Sequence, residues 1–141
     1  MFLVFAQQGE LRVDLAGIVR NATRHFQADV EVLEERGGVA RLAFEGATFT
    51  IRARASTDAD RARARVAEAR GRAGGMSDLA ARCAAVWEVE AASDAGAGLH
   101  RLCAILATTA LGPVLPPDDS TLYGVRGAME RAQRSGANTS G

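Results

Sequence analysis

The chain has 141 residues, of which 48% are apolar and 24% are charged, a composition typical of one globular domain. Seventeen basic residues balance seventeen acidic residues, so the net charge does not point to a nucleic acid, a membrane surface or an acidic substrate. Every basic residue is arginine. Because P-loops, protein kinases and pyridoxal Schiff bases each need a lysine, these three classes of protein are excluded.

The two cysteines, Cys83 and Cys103, form neither a disulfide framework nor a zinc-binding motif. The apolar run over residues 1–6 has no basic residues before it and is too short for a signal peptide. No stretch approaches the ~18 apolar residues of a membrane span. We therefore expect a cytoplasmic protein without a membrane span.

The first half of the chain contains a strand, a helix and three more strands. Phe2–Ala6 is predicted as a strand that is buried on both faces. A helix is predicted from about Asp14, its N-cap, with an apolar stripe of Leu15, Ile18, Val19, Ala22 and Phe26. The alternation of Leu11, Val13 and Leu15 leaves open a strand that extends to the start of this helix.

Residues 29–55 have a period of two and predict an antiparallel meander with one buried face. Gly-bearing turns at 36–38 and 45–46 separate its three strands. The predicted inward row is Val30, Val32, Ala40, Leu42, Phe44, Phe49, Ile51, Ala53 and Ala55.

The second half is predicted to alternate helices with short strands. An Ala- and Arg-rich helix opens at Asp58 or Asp60 and lies against the sheet edge through Ala62, Val66 and Ala69. A helix from about Ser77 follows, which buries Met76, Leu79, Ala80 and Cys83, and then a strand over 85–90. The next helix is capped by Ser93 or Asp94 and carries on one face Leu99, Leu102, Cys103, Leu106 and Ala110. A strand over 114–115 and a helix from about Ser120 complete the order, and this last helix carries Leu122, Val125 and Met129.

This order predicts one α+β domain over residues 1–133, with a mainly antiparallel sheet of five or six strands and helices packed mostly on one face. Residues 134–141 are polar and Gly/Ser-rich, so we predict a disordered tail there. Over residues 2–132 the element order resembles that of small bacterial α/β domains of unknown function, which include immunity-type proteins. The resemblance implies a fold and assigns no functional residue.

The segment Gly96-Ala97-Gly98 follows an apolar strand and opens a helix. Glycines there let a backbone approach a phosphate, and a helix N-terminus favours an anion. Asp118 follows Gly98 at the spacing of a ribose-binding acid in a dinucleotide site. Arg101 stands where that motif has its third glycine, so close helix packing is the alternative explanation of the small residues.

The same segment also resembles the acyl-CoA loop of N-acetyltransferases, in the register Ser93-Asp94-Ala95-Gly96-Ala97-Gly98. Both glycines match the loop, while Ser93 stands where the family has Gln or Arg. The resemblance implies a pyrophosphate held by backbone N–H groups of Gly96 and Gly98, with Glu88 or Glu90 as general base. The alternative is that both glutamates form the solvent face of a strand that buries Trp87 and Val89.

His100 and Cys103 lie three residues apart on the predicted fourth helix, an arrangement that allows a thiolate nucleophile with a nearby base. Helical geometry instead places Cys103 in the middle of the leucine stripe and His100 on its flank. We therefore predict Cys103 to be a buried apolar residue. His25 is interpreted as a cation at a helix end.

The third candidate is an arginine-rich segment, which contains Arg52, Arg54, Arg61, Arg63, Arg65, Arg70 and Arg72. Such a patch can bind a nucleic acid backbone or an acidic protein, and we assign partner binding to Arg52, Arg54, Arg61 and Arg65. No aromatic residue interleaves the arginines to stack on bases. We expect a solvated helix face or a protein partner here rather than a nucleic acid.

We therefore predict a non-catalytic cytoplasmic protein that binds another protein or self-associates into a homo-oligomer. No set of His, Cys, Asp and Glu converges in the predicted structure, so no catalytic residue, metal ligand or cofactor is assigned. Two alternatives stay open. One is an acyl-CoA-binding enzyme that uses Gly96 and Gly98, and the other is a protein that binds a nucleic acid backbone through residues 52–72.

Overall fold

A computed structural model describes residues 1–71, 74–92 and 96–139 of the chain. The strands are β1 Phe2–Ala6, β2 Glu31–Arg36, β3 Val39–Phe44, β4 Ala47–Ala55, β5 Ala85–Ala91 and β6 Val114–Leu115. The helices are α1 Leu15–Phe26, α2 Asp58–Gly71, α3 Met76–Ala81, α4 Ala97–Ala110 and α5 Val125–Thr139. In the described part of the chain, no helix is both long and apolar enough to cross a bilayer.

The six strands form one antiparallel sheet in the order β2-β3-β4-β5-β1-β6, which confirms the predicted α+β fold. The meander of β2, β3 and β4 was also predicted correctly, with turns at 37–38 and 45–46. Strand β1 is central: Val4 lies opposite Trp87 on one side and Val114 on the other. Its buried residues on both faces explain its apolar sequence.

Each face of the sheet carries its own apolar core. Helices α1, α4 and α5 cover the larger core, around Phe49, Trp87 and Leu102. Since neighbouring strand residues point to opposite faces, Leu3 and Phe5 face the other way, and there they pack against alanines of α2 and α3. Most of the helices therefore lie on one face, as predicted.

The predicted buried face of α2 was wrong. Ala62, Val66 and Ala69 are exposed, and α2 turns Asp60, Ala64 and Ala67 inward instead. An Ala-rich helix has no large side chain that fixes its orientation, so its contacts with the rest of the fold decide which face is buried.

The inward row of the meander was wrong at its ends. Val32 is 41% exposed, because β2 is the edge strand and lies outside the cover of the helices. Ala55, the last residue of β4, is exposed as well.

One predicted helix boundary is confirmed, one is wrong, and one lies outside the described residues. Asp14 caps α1 as predicted, and its carboxylate accepts a hydrogen bond from Gly17 N (3.0 Å). The alternative of a strand leading up to this helix is wrong, since residues 11–14 belong to no strand. Helix α5 begins at Val125 rather than near Ser120 and continues through Thr139, over part of the predicted tail. The predicted caps of α4, Ser93 and Asp94, lie outside the described residues, and Gly96 occupies the N-cap position.

Candidate functional site

Both cysteine thiols are buried, as the sequence predicted. Cys103 is 1% exposed within the leucine face of α4, and burial raises the pKa of its thiol to about 12. Cys83 is 2% exposed, its thiol donates a hydrogen bond to Leu79 O (3.3 Å), and burial raises its pKa to about 11. Since the reactive form of cysteine is the thiolate, neither residue is placed to act as a nucleophile. His25 is exposed in the last turn of α1.

The start of α4 faces an acidic side chain from the β3–β4 turn. Arg101 Nε donates a hydrogen bond to Glu45 Oε1 (2.6 Å), and Glu45 Oε2 lies 3.8 Å from the position that a Cβ would take on Gly98. A phosphate bound by Gly96 and Gly98 would therefore lie beside a carboxylate. This arrangement disfavours an acyl-CoA or dinucleotide site. The packing explanation is not supported either, because a Cβ on Gly96 would meet nothing within 4 Å and one on Gly98 would make only ordinary contacts with Glu45. Gly96 instead has a φ of +52°, a backbone conformation that favours glycine.

The general base proposed for that enzyme is engaged elsewhere. Glu88 accepts a hydrogen bond from Arg54 Nε (2.9 Å) and lies 3.8 Å from Arg52 Nε. Glu90 is exposed on the same face of β5, while Trp87 and Val89 are buried on the other. The strand alternation predicted from the sequence therefore accounts for all four residues.

The arginine-rich segment is largely paired with acids. Arg54 binds Asp60 as well as Glu88, and Arg61 binds Asp58. Arg63 reaches across to Asp119 with hydrogen bonds of 2.7 and 3.2 Å. Of the four arginines that were assigned to partner binding, only Arg65 has no acidic partner among the described residues. Arg72, which was not one of the four, lies outside the described residues. Internal pairing leaves little free charge for a phosphate backbone.

Side chains that the sequence analysis did not group together line an open cleft of about 430 Å³. It lies where β1, α4, the segment after β6 and α5 meet. Its lining residues are Phe2, His100, Pro116, Pro117, Asp118, Ser120, Thr121, Tyr123 and Arg131. They come from four separate parts of the chain, and His100 and Asp118 had been singled out for unrelated reasons. No short-range pattern in the sequence indicates this cleft.

His100 is the partly buried imidazole of the cleft. Its ring packs edge-on against Phe2, with ring centroids 6.0 Å apart. Within the described part of the chain its Nδ1 atom is buried and has no hydrogen-bond partner. Burial, together with the charge of Arg131, lowers the pKa of His100 and so favours the neutral imidazole.

Arg131 and Tyr123 form the charged wall of the cleft. The guanidinium carbon of Arg131 lies 3.9 Å from the centre of the Tyr123 ring, and one N–H donates to Gly127 O (3.3 Å). Tyr123 is 5% exposed, and burial raises the pKa of its hydroxyl. The stacking and the hydrogen bond hold the guanidinium in one orientation beside the cleft.

A second exposed feature is the edge strand β2, in which all six side chains are exposed. Val32 and Leu33 are 41% and 42% exposed. The pairing with β3 shifts register between Val32 and Glu34, which leaves Leu33 in a bulge. One side of this strand has no partner strand in the described structure, so it presents a row of backbone donors and acceptors.

No cluster of three or more His, Cys, Asp or Glu side chains that could hold a metal ion occurs among the residues that the structure describes. No family model, curated protein or solved structure matches this chain. The similarity to immunity-type domains therefore stays a prediction from element order.

Proposed function

We propose that this protein is a non-catalytic interaction domain that self-associates through the edge strand β2. The observation that carries the proposal is that every residue of β2 is exposed, including the apolar Val32 and Leu33. Pairing of this strand with a second copy would satisfy its outer backbone groups and cover both apolar side chains. The buried thiols support a role without covalent catalysis.

The charges at the two ends of β2 suit a second copy of the same strand. The strand begins with Glu31 and ends with Arg36. In an antiparallel pair of β2 strands, the acidic end of one lies near the basic end of the other, at both ends of the pair. Opposite charges across neighbouring strands stabilise the two ends of the pair. Glu34 and Glu35 of both copies lie nearer its middle and repel one another, so the backbone hydrogen bonds and the covering of Val32 and Leu33 must supply the stabilisation.

The experiment measures the mass of the protein in solution by size-exclusion chromatography with light scattering, over a wide range of concentrations. We expect a dimer that dissociates on dilution. Leu33→Glu adds a charge at the bulge and is expected to give a monomer. Val66→Glu is the matched control, since Val66 is 46% exposed on α2, and it is expected to leave the dimer intact. A wild-type monomer at every concentration, or a dimeric Leu33→Glu variant, would contradict the proposal.

A cytoplasmic location is part of this proposal. It is supported by the two cysteines, which are buried in separate cores and not joined to each other. The acyl-CoA alternative has less support, because the Glu45 side chain lies beside the start of α4. The nucleic-acid alternative has less support, because acids pair with most of the arginines in residues 52–72.

A further inference from the structure

The cleft around His100 has the size and composition of a small-molecule site. Its volume of about 430 Å³ falls within the range of roughly 300–1,000 Å³ that is usual for ligand sites. Phe2, Pro116 and Tyr123 supply apolar walls, and a few polar groups lie among them. Such a combination binds a ligand that has a flat apolar part and one polar end.

Arg131 determines the charge of that polar end. One of its N–H groups donates to Gly127 O, and no acidic side chain pairs with it among the described residues. By contrast, Arg54, Arg63 and Arg101 are each paired with a carboxylate. The guanidinium of Arg131 is therefore oriented by Tyr123 but not neutralised, and its planar fork fits a carboxylate.

His100 offers a second group to the same ligand. Its ring lines the cleft, and its Nδ1 atom is buried without a hydrogen-bond partner among the described residues. A carboxylate in the cleft can therefore accept a hydrogen bond from the other ring nitrogen, Nε2. A carboxylate bound next to it would favour the protonated imidazole.

Asp118, on the exposed side of the cleft, limits the ligand to one negative charge. Its carboxylate accepts a hydrogen bond from Ser120 N (3.1 Å), which holds it in place. A second carboxylate on the ligand at that side would be repelled. The titratable groups that line the cleft are His100, Asp118, Tyr123 and Arg131.

We propose that this cleft binds a small aromatic monocarboxylate, whose carboxylate contacts Arg131 and His100 and whose ring packs between Phe2 and Pro116. The site lies on the helix side of β1, away from β2, and does not depend on self-association. Nothing in the proposal requires a chemical change of the ligand, so the site is a binding site.

Phenylacetate is the probe, and phenylacetamide and phenethylamine are its neutral and cationic analogues. Binding is measured by titration of the ¹⁵N-labelled full chain in NMR spectra. We expect phenylacetate to shift the signals of residues around the cleft, and each analogue to bind about tenfold more weakly or not at all. Equal affinity for phenylacetamide, or no binding of phenylacetate at millimolar concentration, would overturn the proposal. This comparison uses the wild-type protein, so it does not depend on the folding of a variant.

Variants then test the role of Arg131. Arg131→Gln is expected to weaken phenylacetate binding about tenfold and to leave the weak binding of phenylacetamide unchanged. Arg126→Gln, an exposed arginine on the same helix, is the matched control and is expected to keep full affinity. Binding that survives Arg131→Gln in a folded variant would place the carboxylate elsewhere.

The imidazole signals of His100 give a readout that does not depend on a variant. A bound carboxylate is expected to raise the pKa of His100, and the signals of His25 on α1 serve as the internal reference. If phenylacetate binds without moving the titration of His100, the imidazole does not contact the carboxylate.

Discussion

Arg54 binds Asp60 through two hydrogen bonds, of 2.6 and 2.9 Å, that join β4 to the first turn of α2. The Asp60 carboxylate also accepts hydrogen bonds from the backbone N–H and the hydroxyl of Thr57, and Asp60 N–H donates to Thr57 Oγ1. This reciprocal arrangement is a capping box, with Thr57 as N-cap. Asp60 is 4% exposed, so one carboxylate both starts α2 and fixes the face that it turns to the sheet.

Replacing Asp60 is expected to destabilise the protein. Asp60→Asn removes the charge that pairs with Arg54 and leaves a nearly buried amide in its place, so we expect the free energy of unfolding to fall by about 1–3 kcal/mol. Urea unfolding measures the change. Asp58→Asn is the control, because the Asp58 side chain is 99% exposed and its pair with Arg61 should contribute less than about 1 kcal/mol. Equal losses in both variants would contradict the central role of Asp60.

The same carboxylate makes stability depend on pH. The hydrogen bonds from Arg54 lower the pKa of Asp60 from 3.8 to about 2, despite the opposing effect of burial. Because the pKa is lower in the folded than in the unfolded protein, the stabilisation is present above pH 4 and is lost as the pH falls from about 4 to about 2. Urea unfolding at several pH values should show a steeper loss in the wild type than in Asp60→Asn. Parallel pH profiles of the two proteins would exclude this origin.

The sequence predicted β3 and β4 well because their large apolar residues alternate with polar or small ones. The large residues are Leu42, Phe44, Phe49 and Ile51. The sequence did not predict the face of α2. The start of α2 was predicted at Asp58 or Asp60, and the helix begins at Asp58. The cap by Thr57 was not recognised, and the partner that selects the buried face is Arg54, on another element. Local patterns thus predicted where α2 begins, whereas its orientation depends on a pair formed only in the folded chain.

The thiols are expected to be inert in the native protein. The pKa values of Cys83 and Cys103 are raised to about 11 and about 12, so few thiolates exist at pH 8, and both sulfurs are buried. Iodoacetamide labelling followed by mass spectrometry should modify neither residue in the folded protein and both in denaturant. Rapid labelling of native Cys103 would contradict its buried placement and reopen the catalytic alternative.

Gly112 lies where α4 ends against β1. A Cβ on this residue would come within 1.9 Å of Phe5 O and 2.6 Å of Phe5 C, so the backbone of one element would have to move. We expect Gly112→Ala to lower the free energy of unfolding by about 3 kcal/mol or more, or to prevent folding. Gly9→Ala is the control, since a Cβ there meets nothing within 4 Å. Thermal unfolding of both variants measures the difference, and similar melting temperatures would show that the clash relaxes easily.

The cleft around His100 was not predicted from the sequence. His100 was considered for its spacing to Cys103, and Asp118 for its spacing to Gly98, whereas the structure places both at the cleft. Their common neighbour is Arg131, on α5, which packs against α4 only in the assembled structure. Spacing along the chain indicates contacts within one element, so a site built from four separate segments requires the fold itself.

The central position of β1 has a consequence for synthesis. Its neighbours in the sheet are residues 85–91 and 114–115, so a ribosome must deliver most of the chain before Phe2–Ala6 can pair on both sides. Until then, this apolar segment is available to chaperones and to other nascent chains. Folding of the sheet should therefore be completed late in translation or after release, and slow synthesis should not help the sheet to form early.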